Sequence, residues 1–249
     1  MTVTAFINTY GSYSPYYGRS SAFDSTYMLQ WVLLIGAFVV TAIASARMKS
    51  TFAKYSKVPS ASGMTGEDAA RLFLRTNGLG DMPVMAVQGD LTDHYDPSNK
   101  SLSLSQATYD RRSVAAIAVA AHECGHAVQD AVGYAPLRTR SALVPVTNIC
   151  STLSWPLILV GIFFSFPPIA TVGVLLFVAV VIFQLVTLPV EFDASRRGLQ
   201  MMEQTGIVPA EELTASKKVL TAAAMTYVAA LASSVMTLLR LLMITRRRN

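Results

Sequence analysis

Apolar positions along this chain gather into three long blocks, at residues 27–46, 143–190 and 219–244. Between the first two, polar and apolar positions alternate or recur at helical spacing. The first block, YMLQWVLLIGAFVVTAIASA, carries no charge and has the roughly 20 residues that a helix needs to cross a bilayer. The second breaks at Ser165-Phe166-Pro167-Pro168, where the prolines stop a helix, and so reads as two spanning helices joined by a tight turn. Two crossings return the chain to the side it left, so residues 133–142 and 191 onward share one face. The third block is long enough to span. It is also rich in alanine and contains Arg240, so packing on the polar part or re-entry into the membrane fits it equally.

Residues 58–112 predict structure outside the bilayer. In SGMTGEDAARLFLRTNGLG, Thr65 is a candidate N-cap with Asp68 three residues on, and the amphipathic helix that follows ends near Gly78. In MPVMAVQGDLTDHYDPSNKSLSLS, short apolar runs, alternating at Leu102 and Leu104, flank the turn signal Asp96-Pro97-Ser98-Asn99 and predict a β-hairpin. An apolar helix then runs over about residues 113–132, with Gly133 placed to end it.

Composition agrees with the blocks. Hydrophobic residues make up 52 % of the 249 and charged residues 14 %, against roughly 25 % charge in a soluble globule. Mean hydropathy is +0.43. The net charge of +5 does not point to nucleic acid, because Arg47, Lys49, Lys54, Lys57 and Arg246, Arg247, Arg248 lie beside apolar segments. The positive-inside rule and anionic lipid put basic residues there. Only Arg19 and Asp24 carry charge before the first block, so the bias places the N-terminus outside and residue 47 onward in the cytoplasm. Cys124 and Cys150 make no disulfide framework, and residues 1–26 lack the basic start of a cleavable signal peptide.

The candidate chemistry sits in the apolar helix. Two of the three histidines fall in His122-Glu123-Cys124-Gly125-His126, an HExxH pattern. On a helix His122 and His126 project from one face and can bind one Zn²⁺, while Glu123 is turned toward a zinc-bound water as general base. Two histidines and a glutamate buried among alanines and valines without a metal would be costly to desolvate. A catalytic zinc needs a third protein ligand. Glu191, in LPVEFDASRRG, is the first acid after the membrane hairpin and lies on the correct face by parity. Asp193 and His94 are its rivals. Ser195, one turn beyond Glu191, is placed to orient a ligand, and Asp130, one turn beyond His126, is placed to hold that ring's second nitrogen. His94 is also a candidate for stabilising an oxyanion, and an exposed hairpin edge near the HExxH helix is a candidate to hold an extended peptide. Cys124 points off the histidine face.

The runs LTDHYDP, RSVAAIAVAAHECGHAVQ, LRTRSALVPVTN, LSWPLILVGI and LPVEFDASRRG resemble the bacterial neutral zinc metallopeptidases of the YugP-like family, over most of the chain from about residue 27. More distantly, HExxH followed by a glutamate motif after membrane segments is similar to the integral-membrane gluzincins, such as the HtpX proteases and the CAAX prenyl proteases. The resemblance implies zinc on His122, His126 and Glu191, with Glu123 as base. The gluzincin pattern carries Asp four residues after its third-ligand Glu; Ser195 occupies that position here.

The expectation is therefore a mainly α integral membrane protein with a small α+β catalytic part containing a β-hairpin. Its organisation would be a polar N-terminal segment (1–26), a transmembrane helix (27–46), a cytoplasmic catalytic part with the HExxH helix (47–142), a transmembrane helical hairpin (143–190), a third-ligand helix and cytoplasmic segment (191–218), and an apolar helix with a basic tail (219–249). The expected activity is zinc-dependent cleavage of peptide or protein substrates at the cell membrane, with the lipid bilayer as the other partner and no role for nucleic acid. A zinc-binding scaffold or chaperone subunit without proteolytic activity is the alternative. A channel ranks below both, since the apolar segments contain no acid to mark an ion path.

Overall fold

The computed structural model describes residues 20–246; most of the polar N-terminal segment, together with Arg247 and Arg248, lies outside them. Helix α1 (Ser20–Tyr55) is longer than its apolar block. Arg47, Lys49 and Lys54 continue it, because long unbranched side chains favour helix and nothing breaks it before Ser56. Helix α2 (Gly66–Thr76) begins at a complete capping box. Thr65 Oγ1 accepts from the Asp68 amide at 3.1 Å, and the Thr65 amide donates to Asp68 Oδ2 at 3.0 Å. Its buried face, Ala69, Ala70, Phe73 and Leu74, lies in the main core.

Strands β1 (Val84–Val87), β2 (His94–Asp96) and β3 (Ser101–Ser105) form a mixed sheet in the order β1-β3-β2. The expected hairpin is present as β2 and β3, with Tyr95 opposite Leu102. Asp96 Oδ1 shapes its turn by accepting from the amides of Ser98 and Asn99 at 2.8 and 3.2 Å. The alternation did not announce β1, which pairs parallel to β3 from across the β2 excursion. Leu102 and Leu104 of the central strand pack with Phe73, Leu74 and Ile117 in a core that Met201 and Met202 close from a membrane helix.

Helix α3 (Val114–Ala131) runs through the middle of this assembly and carries the HExxH residues. The chain turns at Gly133, with φ of +67°, into α4 (Ala135–Phe163). After a short turn, α5 (Pro167–Thr205) and α6 (Ala210–Arg246) follow. Among the described residues, four helices are long and apolar enough to cross a membrane: α1 from Ser25, α4, α5, and α6 to Thr245. Helix α5 continues through Pro189, so the second arm of the membrane hairpin and the helix bearing Glu191 are one rod of 39 residues. Helix α6 is long and apolar enough to span and also packs on the polar part. Val219 and Leu220, in its third turn, pack on Ala115 and Ala118 of α3, and the helix lies along α1 and α5.

Candidate metal centre

Helix α3 is anchored by Ser113, whose Oγ accepts from the Ala116 amide at 3.2 Å. Alanine and valine let its flanks sit deep in the core, and the two histidines lie on the side facing α5. Gly125, inside the motif, makes that approach possible. A Cβ built there would stand 2.3 Å from the carbonyl oxygen of Ala194 in α5. Cys124 is turned the other way. Its thiol donates to the Ala70 carbonyl, and burial holds it well above the usual thiol range, so it is neither nucleophile nor ligand.

The close crossing brings Glu191 to the two histidines. Their rings stand edge to face with centroids 4.8 Å apart. His122 Nε2 and His126 Nε2 lie 3.3 and 3.6 Å from the same carboxylate oxygen, Glu191 Oε2. One ligand atom from each of the three residues falls within 4.8 Å of the others. Glu191 is 2 % exposed, and Glu123 and His126 are also buried.

Hydrogen bonds on the far side of each ring set which nitrogen is free. Gln129 Nε2 approaches two acceptors, the Val190 carbonyl at 2.8 Å and Asp193 Oδ2 at 3.0 Å, so it is the amide nitrogen. Gln129 Oε1, 3.0 Å from His126 Nδ1, therefore accepts that ring's N–H, and Nε2 keeps its lone pair toward Glu191. His122 Nδ1 stands 3.1 Å from Ser195 Oγ, a hydroxyl able to accept that ring's N–H. Glu191 Oε2 is buried and, among the described residues, has no hydrogen-bond donor. Electron-rich atoms converging on an orphaned carboxylate oxygen fit a divalent cation, and the His₂Glu donor set suits zinc. Burial would lower the His126 pKa, but Glu191, Glu123 and Gln129 outweigh it and raise it, which again marks a pocket that calls for positive charge.

Three candidates from the sequence lie outside the cluster. Asp130 does not hold His126. It accepts from the Tyr95 hydroxyl at 2.6 Å and pairs with Lys100, because a residue one full turn on leans toward the sheet while Gln129, at the third position, leans toward α5. His94 stands exposed on β2 with Nδ1 2.9 Å from the Thr92 carbonyl oxygen and is not among the convergent ligand atoms. Asp193 is occupied by Gln129, Arg196 and Arg197.

The structure also brings in residues that the sequence reading passed over. Gln129 had a signal: an amide three residues after His126 on an alanine helix. Arg140 Nη2 from α4 lies 3.8 Å from Glu191 Oε1, and its Nε is buried without a partner. Tyr227 of α6 turns its phenol toward Glu191, with the charges of Glu123 and Arg140 close by. No spacing connects these last two with the motif.

The family described as "Putative neutral zinc metallopeptidase" matches residues 30–246. The chain belongs to that family. It is similar to "Putative membrane protease YugP" of Bacillus subtilis (strain 168), at 45 % identity over 217 residues, covering 87 % of this chain and 96 % of that protein. No solved structure matches. Membership in a zinc-peptidase family agrees with the His₂Glu cluster as a possible metal site, and the membrane attribution agrees with the four apolar helices.

Proposed function

We propose that this protein is a gluzincin-type zinc endopeptidase that cuts peptide bonds at the membrane surface. One observation carries the reading: both histidine Nε2 atoms point at a buried Glu191 oxygen that no donor satisfies. His122, His126 and Glu191 would hold the metal. Zinc in such a set supplies Lewis acidity and lets water lose a proton near neutral pH. Glu123, beside His122 on α3, takes the proton of the attacking water and passes it to the leaving amine. Ser195 and Gln129 hold the two imidazoles in the tautomer that binds metal. Arg140 and Tyr227 supply hydrogen-bond donors on the side where a carbonyl oxygen becomes negative.

Strand β2 is an edge of the sheet and is fastened to the end of α3 through Tyr95 and Asp130, which supports binding of an extended peptide by strand addition. The site draws Arg140 from the start of α4, Glu191 from α5 and Tyr227 from α6, three helices long and apolar enough to cross a membrane, so membrane proteins and membrane-proximal segments are the substrates within reach. Basic residues at this end of the helices outweigh those at the other, which supports a cytoplasmic site and an external N-terminus.

The test compares purified wild type with Glu123→Gln and Glu191→Ala for zinc content and chelator-sensitive proteolysis. The reading expects about one zinc per chain in wild type and in Glu123→Gln, activity in wild type alone, and weakened zinc in Glu191→Ala. Equal cleavage by wild type and Glu123→Gln would sink it. Zinc without any chelator-sensitive cleavage would favour the scaffold.

A further inference from the structure

Helices α1 and α6 leave a groove of about 700 Å³ between them, on the side of α6 turned away from Glu191. Its two ends differ in chemistry. Arg47, Lys217 and Lys218 stand at the end nearer the catalytic part, and Val40, Ile43 and Ala232 line the deeper end. All three cations are exposed, and among the described residues none of them makes an ion pair. Other cations of the chain do find acids, as Arg71 does with Glu67 and Arg197 with Asp193. Unpaired charges gathered at one end of an apolar trough describe the complement of an amphiphile with an anionic head.

The dimensions agree. From Lys218 to Ala232 the groove follows α6 for about 21 Å at 1.5 Å per residue. One leaflet of a bilayer, head group included, is about 20–22 Å deep. A phosphate at the level of Lys217 and Lys218 would thus have its acyl chain beside Ala232 near the midplane. Small residues on α6 (Ala222, Ala229, Ala232) provide the depth.

We infer that this groove is a binding site for one anionic phospholipid, its phosphate held by Arg47, Lys217 and Lys218 and an acyl chain laid between α1 and α6. Lys217 and Thr221 also border a second cavity, of about 500 Å³, which reaches Ser195 behind His122. The inference needs only the bilayer and does not depend on the peptidase reading.

Native mass spectrometry tests it on the detergent-purified full chain, given equal amounts of dioleoyl phosphatidylglycerol and dioleoyl phosphatidylcholine. Wild type is expected to retain one phosphatidylglycerol in preference to phosphatidylcholine. Three cations at a lipid phosphate are worth about a hundredfold in affinity, so Arg47→Gln/Lys217→Gln/Lys218→Gln should lose at least tenfold. Lys49→Gln/Lys54→Gln/Lys57→Gln removes the same charge from the same boundary outside the groove and should retain the lipid. Ala232→Phe, which fills the deep end and leaves the charges alone, should weaken retention. Equal retention of the two lipids by wild type, equal loss in both charge variants, or full retention by Ala232→Phe would each overturn the site. Since all exchanged side chains are exposed or border the groove, an unchanged melting temperature will show that the variants are folded.

Discussion

Gly125 of α3 and Ala194 of α5 touch backbone to backbone, and that contact sets the distance between the HExxH face and Glu191. A methyl group at Gly125 would meet the Ala194 carbonyl oxygen at 2.3 Å and its carbonyl carbon at 3.0 Å. Backbone atoms cannot swing aside as a side chain does, so one helix must move.

Gly125→Ala should therefore open the crossing and draw Glu191 away from the histidines. Overpacking of this kind costs about 1–3 kcal/mol. Zinc content and melting temperature, measured with and without added zinc, check it: loss of zinc affinity together with a lowered melting temperature is expected. Wild-type zinc binding in the alanine variant would show that the helix contact does not set the site.

Gln129 is expected to matter through the ring it orients. Gln129→Leu leaves His126 Nδ1 without its acceptor and should weaken zinc binding by about 10–100-fold, the usual effect of losing a ligand's outer hydrogen bond. Competition with a zinc chelator gives the affinity. An unchanged value removes Gln129 from the support of the site.

Tyr227→Phe removes one hydroxyl facing Glu191 and Glu123. If the phenol serves a developing oxyanion, kcat should fall about 10²–10³-fold with zinc content and KM nearly unchanged. A rise in KM alone would mean that the hydroxyl binds substrate and not the transition state.

The Asp130 clasp predicts a pH dependence at the other end of α3. Burial pushes the Asp130 pKa up, but Lys100 and Tyr95 outweigh it and hold it below the ordinary carboxylate value. A depressed folded-state pKa stabilises the protein above the unfolded value of about 3.9, and that stability disappears as pH falls through the folded value. Wild type should thus melt higher than Asp130→Asn above about pH 4.5, with the gap closing below pH 4. A gap that stays constant with pH rules out the charged clasp as its cause. Burial and Asp130 also push the Tyr95 phenol up, so it stays protonated and keeps donating across this range.

Much of this protein was legible along the chain because the signals are local. The capping box at Thr65, the Asp96 turn, the proline break at Pro167 and the i,i+4 histidines each depend on residues within a turn or two of one another. Parity of the membrane hairpin put residues 191 onward on the same face as the motif without any geometry, while His94 stayed open as a rival. The parallel pairing of β1 was not legible, because it depends on a partner beyond the next strand. The Asp130 expectation shows the limit of periodicity. Positions three and four residues after His126 lie on similar faces of the helix, and only the packing of α5 decides that Gln129 meets the ring while Asp130 meets the sheet.

The sequence by itself determined the long apolar helices, the helix that bears the two histidines, and the presence of Glu123 beside them. The tertiary structure alone decided that Glu191, and not Asp193 or His94, meets the histidines, and that Arg140 and Tyr227 complete the pocket. The reason is physical. Helix periodicity fixes directions about one axis, whereas the meeting of side chains from α3, α4, α5 and α6 depends on how closely separate helices approach. Here that distance is set by Gly125 against Ala194.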